Sequence, residues 1–160
     1  MAVTVAIETP LQDDVRELVA LLNAHLLPLS PIEFQFKMTV EQMARPDTTV
    51  FVARTADGRA VGCGALKLAD RGEAEVKRMF TRTDVRGQRV GSALLEAIEV
   101  LARDKGVSLL MLETGEGPGF EGAFRLYENS GFTKRAPFFD YPDSEWSRFY
   151  EKGLAPVPAS

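Results

Sequence analysis

The sequence predicts an α+β fold: one domain over residues 1–154, with a mostly antiparallel mixed sheet flanked by helices in the order βα(α)βββαβαββ. Three observations carry this prediction. Residues 48–68 hold two apolar, β-branched runs joined at Asp57-Gly58, a dipeptide suited to a tight hairpin. Residues 75–114 read as strand, helix, strand, because "EVKRMFT" and "VSLLMLET" bracket a stretch whose apolar residues recur every three or four positions. The 160 residues, 45% hydrophobic and 26% charged, can also bury a substantial core without staples.

The elements follow in order. "VTVAIE", residues 3–8, alternates branched apolar side chains and is the first strand. Pro10 opens a helix to about Ala24, with Val15, Leu18, Val19 and Leu22 as its apolar stripe. Asp13 and Asp14 stand in its first turn, where the helix dipole favours acids. Pro28 and Pro31 break the periodicity of "LLPLSPIEFQFKM", which is expected to form a flexible wall, and Thr39 caps a short helix to about Ala44. "TTVFVART" and "AVGCGALKL" form the hairpin, and a turn at Asp70–Gly72 leads to the strand "EAEVKRMFT". The next helix, ending near Lys105, sets Val90, Leu94, Ile98 and Leu101 on one side and Glu96, Glu99 and Arg103 on another, with Gly106 as its stop. "VSLLMLET" is a continuous apolar run and so a central buried strand. After "GEGPG", "FEGAFRLYENSG" is a helix ended by Gly131, and "FTKRAPF" and "SRFYEKGL" supply closing strands. Residues 155–160 are expected to fray.

Composition narrows the function. A net charge of −4 without a lysine- or arginine-rich block gives no footprint for nucleic acid. The chain begins with neither a basic leader nor a long apolar stretch, and the lone Cys63 has no partner for an internal disulfide. A cytoplasmic protein with no membrane segment is expected. Cys63, inside "AVGCGALKL", reads as a small core residue rather than a nucleophile. One histidine, His25, and one cysteine do not build an ordinary zinc site, and no spaced carboxylate cluster replaces them, so no metal is expected.

The most informative stretch is "VRGQRVGSALLEAI", residues 85–98. Gly87 and Gly91 sit at a helix start, where unpaired N–H groups and the positive end of the dipole suit an anion. On this stretch alone a bound phosphate and plain turn chemistry, with Arg86 and Arg89 as solvated charges, are both open. A P-loop would need a lysine after the glycines, and a dinucleotide fold would need Gly-x-Gly-x-x-Gly after its first strand. Neither pattern is present.

With these segments in place, the chain resembles the GNAT superfamily of acetyl-coenzyme-A-dependent N-acetyltransferases. Arg86 and Gly91 match its Arg/Gln-x-x-Gly-x-Gly/Ala pyrophosphate motif between the expected strand and helix, and "LYENSGF" is similar to its second signature. "LNAHL", "SPIEF", "GCGALK", "EVKRM", "LETG" and "PFFDY" resemble small bacterial members of the YsnE type. The chain departs from the pattern at Arg89, where the motif commonly has its first glycine, and at Phe120, where many members have an asparagine on the cofactor.

The resemblance implies acetyl-CoA as acyl donor, its pyrophosphate on Arg86, Gly87, Gln88, Arg89, Val90, Gly91 and Ser92 and its pantetheine arm along Met79, Phe80 and Thr81. It places the Met79 N–H at the acetyl carbonyl, where it stabilises an oxyanion, and Tyr127 beside the sulfur as the acid. Glu75, four residues before Met79, matches the general base of some members. Regular alternation would put Glu75, Lys77 and Met79 on one face unless a bulge intervenes; the plainer reading of Glu75 is a solvated ion pair.

The expected acceptor is the primary amine of a small molecule or amino acid, attacking directly in a ternary complex. Glu33, Phe34 and Lys77 are assigned to its side, with "SPIEFQFKM" and "PFFDYPDSEW" as walls. Lys77, Arg78 and Arg125 are candidates to receive a carboxylate; Glu33, Asp140 and Asp143 are candidates for an ammonium group. The alternative is a non-catalytic CoA-binding sensor or protein-interaction module on the same scaffold. Many members pair as homodimers, which the last two strands would allow here.

Overall fold

Strand β1 (Val3–Ile7) is followed by helix α1 (Asp13–Leu26), short helix α2 (Val40–Met43), and strands β2 (Thr48–Thr55), β3 (Ala60–Leu68) and β4 (Glu73–Thr81). Helix α3 (Val90–Asp104), β5 (Leu109–Gly115), α4 (Glu121–Asn129), β6 (Thr133–Arg135) and β7 (Ser147–Gly153) complete the order that the sequence predicts. This computed structural model describes residues 2–155, so all of the expected frayed tail beyond Ala155 lies outside the described residues.

The strands form one sheet in the order β1-β2-β3-β4-β5-β7-β6. Every pairing is antiparallel except β4 with β5, which α3 connects as a crossover. The last two strands are exchanged in space, with β7 pairing β5 along its whole length and leaving the three-residue β6 at the edge. Short edge strands resist pairing with other chains.

The two helical stripes cover opposite faces. Val15, Leu18, Val19 and Leu22 of α1 pack with Val52, Cys63, Ala65 and Phe80. Val90, Leu94, Leu95 and Ile98 of α3 pack with Leu66, Val76, Leu110 and Tyr150. Each fully buried Val or Leu here contributes about 1.5–3 kcal/mol relative to exposure. Cys63 belongs to this core; burial pushes its thiol up to about 12, so it carries no thiolate at neutral pH.

Local signals hold with small shifts. Thr39 and Gln42 form a reciprocal capping box at α2, and Gly58, Gly106 and Gly131 take the left-handed conformations their turns require. Helix α1 starts at Asp13 rather than at Pro10, because Gln12 supplies the extended N-cap. Its entrance is pinned by Arg54 of β2, which donates to Glu8 at 2.8 Å and Asp14 at 2.6 Å. Glu99, expected on the polar side of α3, is buried because Lys152 of β7 donates to it at 2.8 Å.

Candidate active site

The site follows from an interrupted strand pairing. Strands β4 and β5 are in register only from Glu73–Glu75 against Leu109–Met111, and beyond these residues they splay apart. Beyond that point β4 stays with β3 and β5 stays with β7, so a wedge opens whose walls carry Lys77 to Thr81 and Glu113 to Gly115. A cavity of about 670 Å³ fills it.

A bulge sits in the β4 wall. Ala65 pairs with Lys77 but Cys63 pairs with Phe80, so Gly64 alone faces both Arg78 and Met79. Arg78 has φ +56°, and the extra residue reverses the alternation. Lys77 and Phe80 stay on the α1 side, whereas the Met79 side chain turns to α3, where a Cβ on Gly64 would collide with its Sδ and approach Ile98 at 3.2 Å. Regular alternation of Glu75, Lys77 and Met79 is thereby overturned.

At the wedge's outer end, Thr83–Val85 make one 3-10 turn before the glycines. Gly87 has φ +83° and Arg89, the N-cap of α3, has φ +65°. The first α3 bond runs from the Ala93 N–H to the Arg89 carbonyl, so the helix does not use the N–H groups of Val90, Gly91 and Ser92. What crowds Gly91 is α4: a Cβ there would lie 3.0 Å from Leu126. Arg89, the departure from the glycine motif, adopts the conformation that a glycine takes without steric cost. Arg89→Gly is therefore expected to raise stability slightly, by about 0.5–1 kcal/mol, read in a urea melt.

The inner end is polar and aromatic. Tyr127 is buried in α4, with ring centroids 5.9 Å from Phe132 and 6.0 Å from Tyr150, and it lines the cavity. Burial, then the nearby Glu113, holds its phenol well above the usual tyrosine range, so it is a neutral O–H donor. Glu113 lines the same cavity from β5 and accepts a hydrogen bond from Ser147 Oγ at 2.8 Å. Burial pushes its carboxyl up to about 7 against that hydrogen bond and the attraction of Lys77. The expected base, Glu75, is buried at the closed end of the wedge rather than solvated, and it is not among the residues lining the cavity. It accepts from the Tyr141 hydroxyl and from Lys77 Nζ at 3.3 Å, while Lys77 Nζ also donates to the Tyr141 hydroxyl at 2.8 Å.

The sequence candidates separate accordingly. Lys77, Met79, Phe80, Thr81, Arg86, Gly87, Arg89, Val90, Gly91, Ser92, Tyr127 and Phe34 meet around the one cavity. Gln88 and Glu33 are exposed and do not line it, nor do Asp140 and Asp143. Of the two predicted walls, Phe34, Gln35, Phe36 and Lys37 line the cavity, whereas the 137–146 segment stands behind them, its Tyr141 ring 5.0 Å from Phe36. Gln35 Nε2 donates to the carbonyls of Leu26, Leu27 and Ser30, tying this wall to the end of α1. Phe120 lies over Gly115, where any Cβ would collide with its ring. Sequence reasoning missed Glu113; the only hint was an acid ending an otherwise apolar strand.

The cavity's charge is one-sided. Lys37, Lys77, Arg78, Arg86, Arg89 and Arg125 line it against the single carboxylate of Glu113, in a chain of net charge −4. Among the described residues no group of His, Cys, Asp or Glu is arranged to hold a metal, and no helix is long and apolar enough to cross a membrane.

Comparison with known proteins agrees with this fold. Residues 46–134 match the family described as "Acetyltransferase (GNAT) domain". The chain is 42% identical over 153 residues to an IAA acetyltransferase of Azospirillum brasilense, covering 95% of this chain and 98% of that one. It is 37% identical over 142 residues to the uncharacterized N-acetyltransferase YsnE of Bacillus subtilis, covering 87% and 93%. A Klebsiella pneumoniae crystal structure described as an acyl-CoA N-acyltransferase superposes with a TM-score of 0.80 at 31% identity, covering 96% and 98%. An acetyl-CoA-bound GNAT acetyltransferase from Elizabethkingia anophelis shares the fold, with a TM-score of 0.68 at 21% identity over 95% and 98%.

Proposed function

Because the chain belongs to the GNAT acetyltransferase family and is an acyltransferase, we propose that it moves an acetyl group from acetyl-CoA to the primary amine of a small molecule or amino acid. The observation that carries this reading is the wedge itself, cationic along its lining with unused helix N–H groups at its mouth and a carboxylate and a neutral phenol at its inner end. These residues fit acetyl-CoA. Val90, Gly91 and Ser92 would offer backbone donors to the pyrophosphate, beside the exposed guanidinium groups of Arg86 and Arg89. Met79, Phe80 and Thr81 would flank the pantetheine arm.

Bound acetyl-CoA supplies an activated thioester whose acetyl group passes to the amine by direct attack. An amine attacks only after losing its proton, and in this reading the ionised Glu113 accepts it. Glu75 then acts as a positioning residue, holding Lys77 and Tyr141 beside that carboxylate. The Met79 N–H, at the bulge, would stabilise the carbonyl oxygen as it gains negative charge. The Tyr127 phenol would donate its proton to the leaving sulfur and be restored by the second proton, which the nitrogen sheds as the amide forms. The setting in this reading is the cytoplasm, where the buried Cys63 remains a thiol.

Calorimetry tests the binding half. Saturable binding of acetyl-CoA and CoA, but not ATP, is the expected result. Gly91→Glu should weaken acetyl-CoA binding by at least about tenfold, since the new side chain meets Leu126 and brings a negative charge to the anion site. No binding of either CoA species by the parent protein would overturn the reading. Tight binding with no turnover over a broad amine panel would instead identify a CoA-binding sensor.

A further inference from the structure

Arg78 breaks two local rules at one position. It is a non-glycine residue in the left-handed region, with φ +56°, and its guanidinium is buried, with only 8% of the residue exposed. Each is costly: the left-handed region strains a residue that carries a side chain, and a buried charge is tolerated when it is paired. Arg78 forms no ion pair among the described residues. Its Nη2 donates to Asn23 Oδ1 of α1, and its Nε is buried without any partner. The other arginines of the cavity, Arg86, Arg89 and Arg125, are exposed and solvated at or beside the pyrophosphate end. Arg78 stands apart from them, at the bulge, facing α1 and next in the chain to Met79.

A fixed, unpaired cation in the wall of a cavity implies an anionic group on what the cavity binds. Resting on the reading of this cavity as an acetyl-transfer site, we propose that the acceptor is an amino acid whose carboxylate is held by Arg78. Its amine and carboxylate are separated by one carbon, which suits the adjacent cavity residues Met79, assigned to the acetyl group, and Arg78, the carboxylate anchor. The surrounding wall, Leu22, Leu26, Phe34 and Phe36, favours an apolar side chain. Gln35 adds an acceptor: its Nε2 faces three carbonyls, which fixes the amide's orientation and leaves a buried Oε1 without a donor on the same wall. An acceptor N–H would satisfy it.

Two matched pairs of acceptors test this: L-leucine against 3-methylbutylamine, and L-phenylalanine against 2-phenylethylamine, each amine lacking only the carboxylate. The parent enzyme should prefer the amino acid in kcat/KM. Arg78→Gly keeps the left-handed backbone comfortable, so it should fold, and it should cut that preference by roughly 10- to 100-fold, mainly through KM of the amino acid. Arg78→Lys should restore part of it. Calorimetry with N-acetyl-L-phenylalanine and CoA gives a second readout: the parent should bind the acid, and Arg78→Gly should lose it with acetyl-CoA affinity unchanged.

An unchanged preference in Arg78→Gly, or N-acetyl-L-phenylalanine binding equal to the parent's, would overturn the assignment while leaving acetyl transfer standing. Acetyl-CoA affinity falling in step with Arg78→Gly would overturn it in favour of a donor phosphate. Failure of the parent to bind acetyl-CoA at all would overturn both this inference and the functional reading beneath it.

Discussion

Tyr127→Phe is expected to lower kcat by about 100-fold or more while leaving acetyl-CoA affinity near the parent's. The ring is fixed by Phe132 and Tyr150, so removing one oxygen changes chemistry with little change in packing. Burial keeps the phenol protonated across the working pH range, so it enters the reaction as a donor. Steady-state rates equal to the parent's with every active acceptor would remove its assigned role. A parallel loss of binding and turnover would make it a packing residue.

Glu113→Gln is the second large effect, with kcat/KM expected to fall by roughly 100- to 10,000-fold. The group's behaviour also fixes the pH profile. A base must be ionised, and burial has pushed this carboxyl up to about 7, so parent kcat/KM should rise through about pH 7. That limb should vanish in the variant. Stability moves the other way. Between its unfolded value near 4.5 and about 7, the folded protein holds a proton that the unfolded chain has released, so this group's contribution falls as pH rises through that window. Glu113→Gln should therefore melt above the parent at pH 8 although it is less active. A misfolded variant would not show that combination. If Glu75→Gln abolished the pH limb and Glu113→Gln left it intact, proton acceptance would belong to the β4 carboxylate instead.

Much of the candidate site was legible in one dimension because its proposed donor half is local. The N–H groups at the start of α3 come from consecutive residues, so "RGQRVGS" shows them directly. Tyr127, the proposed acid, was assigned from "LYENSGF" through the family resemblance, and the structure sets it in the cavity lining. The proposed acceptor half is not local. Glu113, Arg78, Phe34 and Lys77 come from β5, β4 and the wall after α1, and no spacing rule relates them. Glu75 and Met79 were assigned through the resemblance; the shared face that regular alternation would give them is what the bulge at Arg78 and Met79 defeats. "PFFDYPDSEW" looked like a wall because it is irregular and aromatic, yet its Tyr141 serves behind the site on Glu75 and Phe36.

By itself, the sequence determined the elements and their order, most of the helix faces, the N-cap at Thr39 and the glycine turns, because periodicity and backbone freedom act over a few neighbouring residues. Only the tertiary structure decided the exchange of β6 and β7, the splay of β4 from β5, and the burial of Arg78, Glu75 and Glu113. Those outcomes depend on which distant surfaces meet. That meeting sets the local dielectric and the available partners, and so decides whether a charged side chain is a solvated surface group or part of a site.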